Sequence, residues 1–127
     1  MTRELTRILY IEDDPDIQAI AMMVLETING FIVEACSGGS EALAKAVQFN
    51  PDLVLLDVMM PGMDGPETLK GLRAFAELAD TPVVIMTAKV QPQEVAGYLN
   101  LGAVGVIAKP FDPMTLAQEL RDIWARR

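Results

Sequence analysis

Leu53-Val54-Leu55-Leu56-Asp57, followed at once by Val58-Met59-Met60-Pro61-Gly62, is an unbroken apolar run that stops on a carboxylate. Such a run, without alternating polar residues, reads as a strand covered on both faces. Its acid then stands at the carboxyl edge, where open α/β sheets gather their ligands. Working outward, two further runs end in polar groups: Tyr10-Ile11 leads into Glu12-Asp13-Asp14, and Val83-Val84-Ile85-Met86 leads into Thr87. A fourth, Val104-Gly105-Val106-Ile107-Ala108, delivers Lys109. Acids, a hydroxyl and an ammonium are therefore expected on one rim.

Strand-like runs (Arg7 to Ile11, Phe31 to Ala35, Asp52 to Asp57, Pro82 to Met86, Gly105 to Ala108) alternate with helical patterns five times. That alternation predicts a parallel sheet with helices on both faces. The first helix has Asp14 at its N-cap and Pro15 at its first position. Its apolar residues are Ile17, Ile20, Ala21, Val24, Leu25 and Ile28, and Asn29-Gly30 stops it. The second runs from about Gly39 to Phe49, with Ala42, Leu43, Ala46 and Val47 inward and Asn50-Pro51 as its close. The third is expected over Pro66 to Leu78, the fourth over Gln93 to Leu101, and the fifth over Pro113 to Ala125. At 127 residues and 13.8 kDa the chain is the size of one domain, spanning residues 1–127.

The charge of −8 argues against nucleic acid and for a cationic ligand or partner. The lone Cys36, among apolar neighbours, is expected to be a small buried side chain. No apolar stretch has the roughly 18 residues of a membrane span, so no membrane insertion and a cytoplasmic location are expected. The chain has no histidine, the commonest general base and zinc ligand. Any phosphohistidine must belong to a partner.

Three consecutive acids at a buried strand end repel one another and call for a cation or a division of labour. Asp14 suits the helix N-cap, accepting from the first turn. Glu12, Asp13 and Asp57 supply hard oxygens of the kind Mg²⁺ takes, with solvated loop acids as the bland alternative. The Met59 side chain reads as core filling, while its backbone carbonyl could face the metal. A carboxylate such as Asp57 can attack phosphorus if its charge and the incoming oxygens are screened. Thr87 and Lys109 offer the donor and the compact cation that such a group needs. Taken singly, Thr87 is also a β-branched strand end and Lys109 an ordinary surface charge.

These residues together resemble the receiver domain of two-component response regulators, of the single-domain, chemotaxis-regulator-like kind, from Ile8 to about Trp124. The resemblance rests on Glu12-Asp13, Asp57 with Met60-Pro61-Gly62 and Asp64-Gly65, Thr87-Ala88 and Lys109-Pro110-Phe111, in that order. It implies a flavodoxin-like doubly wound sheet of order 2-1-3-4-5 with five helices, an order the same family exemplifies. It further implies that Asp57 accepts a phosphoryl group from a histidine kinase or histidine phosphotransfer protein. Asp13, Asp57 and the Met59 carbonyl would bind Mg²⁺ directly and Glu12 through water. Thr87 would be the switch hydroxyl and Lys109 its ion-pair partner. Readout would use the fourth helix, fifth strand and fifth helix.

One departure stands out. Where the family usually carries Tyr or Phe, three residues before the lysine, this chain has Val106, so coupling to the output face is expected to be altered, using Tyr98 or packing shifts. The leading expectation is a stand-alone switch that assists its own phosphorylation and dephosphorylation without being a conventional enzyme. Its partners would be the phosphodonor and a downstream protein, with no nucleic acid, and it would be a monomer or weak dimer. Three alternatives remain. An aspartate-nucleophile phosphohydrolase typically has a second acid two residues on, where Met59 stands. A dinucleotide-binding fragment lacks its Gly-x-Gly-x-x-Gly turn, for which Ser37-Gly38-Gly39-Ser40 is no substitute. An interaction module with altered switching is suggested by Val106 and opposed by the intact acids.

Overall fold

The computed structural model describes residues 3–58 and 64–127. Among the described residues there are five strands: β1 (Arg7–Ile11), β2 (Ile32–Cys36), β3 (Leu53–Asp57), β4 (Val83–Thr87) and β5 (Gly105–Ala108). All pair in parallel in the order β2-β1-β3-β4-β5, the doubly wound arrangement expected. The helices are α1 (Pro15–Met22), α2 (Gly39–Phe49), α3 (Gly65–Arg73), α4 (Pro92–Asn100) and α5 (Leu116–Arg126).

Strand residues alternate between two cores. Ile8, Tyr10, Leu53, Leu55, Val84, Met86 and Ile107 face α1 and α5, meeting Ala21, Leu25, Leu116, Leu120 and Trp124. Leu9, Ile11, Val54, Leu56, Val83 and Ile85 face the other way, onto Ala42 and Ala46 of α2 and Leu69 and Leu72 of α3. Cys36 is buried in this second layer. The side-chain period of two sends successive residues to opposite layers, so an all-apolar strand fills both. In contrast, α4 has no buried residue.

Three helices differ from the sequence reading. The first continues past α1 as a π-helical stretch, Met23–Ile28, and Asn29 caps the Val24 carbonyl with its side-chain amide at 2.7 Å. The wider turn displaces the α-helical register. Ala21, Val24 and Leu25 are buried as counted, while Ile28 within this stretch and Ile20 ahead of it, both counted inward, are 68% and 45% exposed. The third helix ends at Arg73, since Phe75 adopts an extended backbone, and Ala76–Leu78 forms a separate 3₁₀ turn. The fifth begins at Leu116, after Pro113.

Close approach requires glycine at position 65. A Cβ there would lie 2.5–2.7 Å from Val58, including its Cα, so the start of α3 rests directly on the chain leaving β3. Asn50 closes α2 in the left-handed conformation, φ 57°, which asparagine tolerates better than most residues. At the amino edge of the sheet, Asp52 accepts from the amides of Thr6 (3.1 Å) and Arg7 (2.9 Å) and from the Arg3 guanidinium (2.8 Å). Arg73 donates to the Leu78, Thr81 and Gly102 carbonyls, tying the α3–β4 and α4–β5 connections together.

Candidate functional site

Parallel pairing puts the ends of β1, β3, β4 and β5 on one edge. Asp57 is opposite Met86, so Thr87 lies one residue beyond it. Thr87 pairs with Ala108, and the Lys109 amide donates to the Thr87 carbonyl at 2.9 Å. Lys109 and Pro110 are joined by a cis peptide bond. Glu12 leaves β1 by donating its amide to the Cys36 carbonyl at 2.9 Å. Asp14 caps α1 as expected, its Oδ1 accepting from Asp16 (2.9 Å) and Ile17 (3.3 Å).

Four of the expected side chains come together. One carboxylate oxygen from each of Glu12, Asp13 and Asp57 lies within 4.8 Å of the others. Lys109 Nζ is 3.1 Å from Asp57 Oδ2 and 3.4 Å from Glu12 Oε1. Asp57 and Glu12 are buried, and Asp13 is partly exposed. Thr87 is buried at the same edge, but its Oγ1 accepts from the Lys89 amide at 3.0 Å, which engages it with its own loop. The Met59 carbonyl lies outside the described residues.

The electrostatics follow from this crowding. Burial, then the hydrogen bond to Asp57 and the charge of Asp57, push Glu12 up to about 7, against the Lys109 ammonium and the Asp14 amide. Burial works against the Lys109 ammonium, but its hydrogen bond with Asp57 and the charges of Asp57 and Glu12 outweigh it and hold its pKa above the ordinary lysine value. One lysine thus faces an acid group that burial and repulsion keep short of positive charge. A divalent cation suits these three carboxylates, since Mg²⁺ binds through one or two of them and keeps water or phosphate oxygens for the rest of its shell.

Sequence reasoning passed over Gln18. Its Nε2 donates to the Glu12 carbonyl at 3.0 Å and to the Cys36 carbonyl at 3.3 Å, linking α1 to the ends of two strands. The signal was slight: a neutral polar residue followed by the apolar run Ala19-Ile20-Ala21-Met22. Val106 is half-buried and packs, like Tyr98, against the α2/α3 layer.

The chain belongs to the response regulator receiver domain family, whose model matches residues 8–121. It is therefore a receiver domain of two-component signalling, not a member of a conventional enzyme family. It is 38% identical over 115 residues to the DNA-binding response regulator MtrA of Mycolicibacterium smegmatis, covering 91% of this chain and 49% of that protein. It is 34% identical over 121 residues to the transcriptional regulatory protein ResD of Bacillus subtilis, covering 95% of this chain and 49% of that one. The chain thus spans about half the length of these relatives. Among solved structures, the chemotaxis protein CheY4 of Vibrio cholerae superposes with a TM-score of 0.87 at 32% identity, covering 94% of this chain and 98% of that one. A response regulator of Chloroflexus aurantiacus, described as putative, gives 0.84 at 28% identity, covering 98% and 100%.

These relatives correct the expectation about partners. The charge of −8 argues against nucleic acid, and the output is expected to be protein binding alone, yet several relatives are named as DNA-binding regulators. Net charge reports only on the residues counted. In proteins twice as long, a DNA contact carried elsewhere leaves no mark on the charge of the matched half. Among the described residues, no helix is long and apolar enough to cross a membrane.

Proposed function

We propose that Asp57 accepts a phosphoryl group from a phosphohistidine of a partner kinase or phosphotransfer protein. The observation that carries this reading is the buried Asp57 carboxylate set 3.1 Å from the Lys109 ammonium and within 4.8 Å of Glu12 and Asp13. In the reaction a carboxylate oxygen of Asp57 forms a bond to phosphorus while the phosphorus–nitrogen bond of the donor breaks. The bonding electrons and a proton end on the donor imidazole, and an acyl phosphate remains. Glu12, Asp13 and Asp57 would hold Mg²⁺, which, when bound, screens the phosphoryl oxygens from the carboxylates.

Lys109 supplies a fixed positive charge to the transferring group, and its two acidic neighbours keep it protonated. Thr87 would exchange its present engagement with the Lys89 amide for donation to a phosphoryl oxygen, drawing the β4–α4 loop toward Asp57. The same residues would assist hydrolysis of the acyl phosphate, so the chain contributes to both halves of its own cycle. The relatives named as DNA-binding regulators support a DNA-binding output as the process this domain governs. The phosphorylation test is incubation with Mg²⁺ and acetyl phosphate, followed by intact mass. One acid-stable, base-labile phosphoryl group, absent in Asp57→Asn, is expected. An unmodified wild type overturns the reading.

A further inference from the structure

From the hydrogen bonds of Gln18 we infer that this residue positions the acidic loop for its cation, acting through the backbone without touching the ion. The inference rests on the metal reading above. Carbonyl oxygens only accept, so both contacts use the two N–H groups of one amide. One goes to Glu12 O at 3.0 Å and the other to Cys36 O at 3.3 Å, and the Cys36 carbonyl also accepts the Glu12 amide at 2.9 Å. Glu12 is thereby held at both its N–H and its C=O. On the far side, Asp14 is fixed as the α1 N-cap, with its own amide 3.4 Å from Glu12 Oε2.

Asp13 sits between two pinned residues, and the pin on the Glu12 side comes from the helix that follows the loop. The triad Glu12, Gln18 and Cys36 therefore locks β1, α1 and β2 into one unit. The clustered acids repel one another, and the Gln18 amide is a neutral group that holds the Glu12 carbonyl in place against that repulsion. Groups that orient a metal ligand without binding the metal typically change affinity by about 10- to 100-fold when removed.

The test compares wild type with Gln18→Met, similar in length and without donors, and Gln18→Asn, too short to reach both carbonyls. Three quantities are measured: Mg²⁺ affinity by calorimetry, hydrogen exchange of the Glu12 and Asp13 amides in EDTA, and thermal unfolding in EDTA. We expect Mg²⁺ to bind about tenfold more weakly in both variants. The two amides should exchange faster in metal-free protein, with the phosphorylation rate recovering at saturating Mg²⁺. Unchanged Mg²⁺ affinity in either folded variant overturns the inference, whatever happens to the melting temperature. So does a rate deficit that saturating Mg²⁺ leaves uncorrected. If the wild type itself binds no Mg²⁺, the metal reading falls and takes this inference with it.

Discussion

Asp52 and Asp57 bracket β3, and both carboxylates are buried, but their surroundings differ in kind. Asp52 accepts from two backbone amides and one guanidinium, so its charge is matched by donors that are themselves part of the fold. Asp57 is met by one ammonium and by two more acids. A buried charge is tolerated when its hydrogen bonds are complete and is costly when they are not. Five positions apart, one carboxylate holds the sheet edge together, while the other lies among acids and an ammonium and is the group proposed above to accept phosphate.

The sharpest way to break this contrast is to neutralise each acid in turn. Asp57→Asn should abolish phosphorylation by acetyl phosphate, with metal-free stability equal to or above wild type, because Glu12 loses a like-charged neighbour. Denaturant unfolding and intact mass together check both halves. Asp52→Ala should do the reverse. Two buried amides and Arg3 lose their acceptor, at a cost of roughly 2–4 kcal/mol in urea unfolding, while the folded fraction still takes up phosphate. If both variants lose stability alike, the two ends of β3 are not distinct.

A backbone probe comes next. Gly65→Ala would force α3 away from Val58, with an expected loss of about 1–3 kcal/mol. Because Val58 follows Asp57, a slower rate of phosphorylation should accompany it, which Asp52→Ala should not show.

The pH response is the gentlest test. Glu12 is raised from 4.5 to about 7, so folding is favoured by its protonated form. That contribution is fully present below about pH 4.5 and is lost as pH rises to about 7. The slope is at most about 1.4 kcal/mol per pH unit from one group. Metal-free protein should therefore lose stability over this window, Mg²⁺ affinity should rise over the same window, and Glu12→Gln should flatten both curves.

Why the sheet was legible and parts of the helices were not follows from what each depends on. Runs such as Leu53 to Leu56 are apolar because both faces are covered, and a carboxylate closing such a run stands out against them. Glu12, Asp13, Asp57 and Lys109 could be placed together because parallel strands bring their ends to one edge. The π-helical stretch Met23–Ile28 has no glycine or proline to betray it, so counting at the α-helical period turned Ile28 inward. Phe75, where the third helix breaks, follows Leu72 at a spacing that a continuous helix would also show. Gln18 depends on one carbonyl just past β1 and another at the end of β2, 18 residues distant, and no local pattern announces that. The expectation of no nucleic acid failed against relatives named as DNA-binding regulators, because the charge of the matched segment is silent about the rest of proteins twice its length.

Among the described helices, α4 stands apart in burying no residue. Its main hold on the core is the partly buried Tyr98, so a change of tilt would withdraw far less apolar surface than the same movement of α5. It begins five positions after Thr87, so the reorientation proposed for that hydroxyl would be passed to a helix that buries no residue.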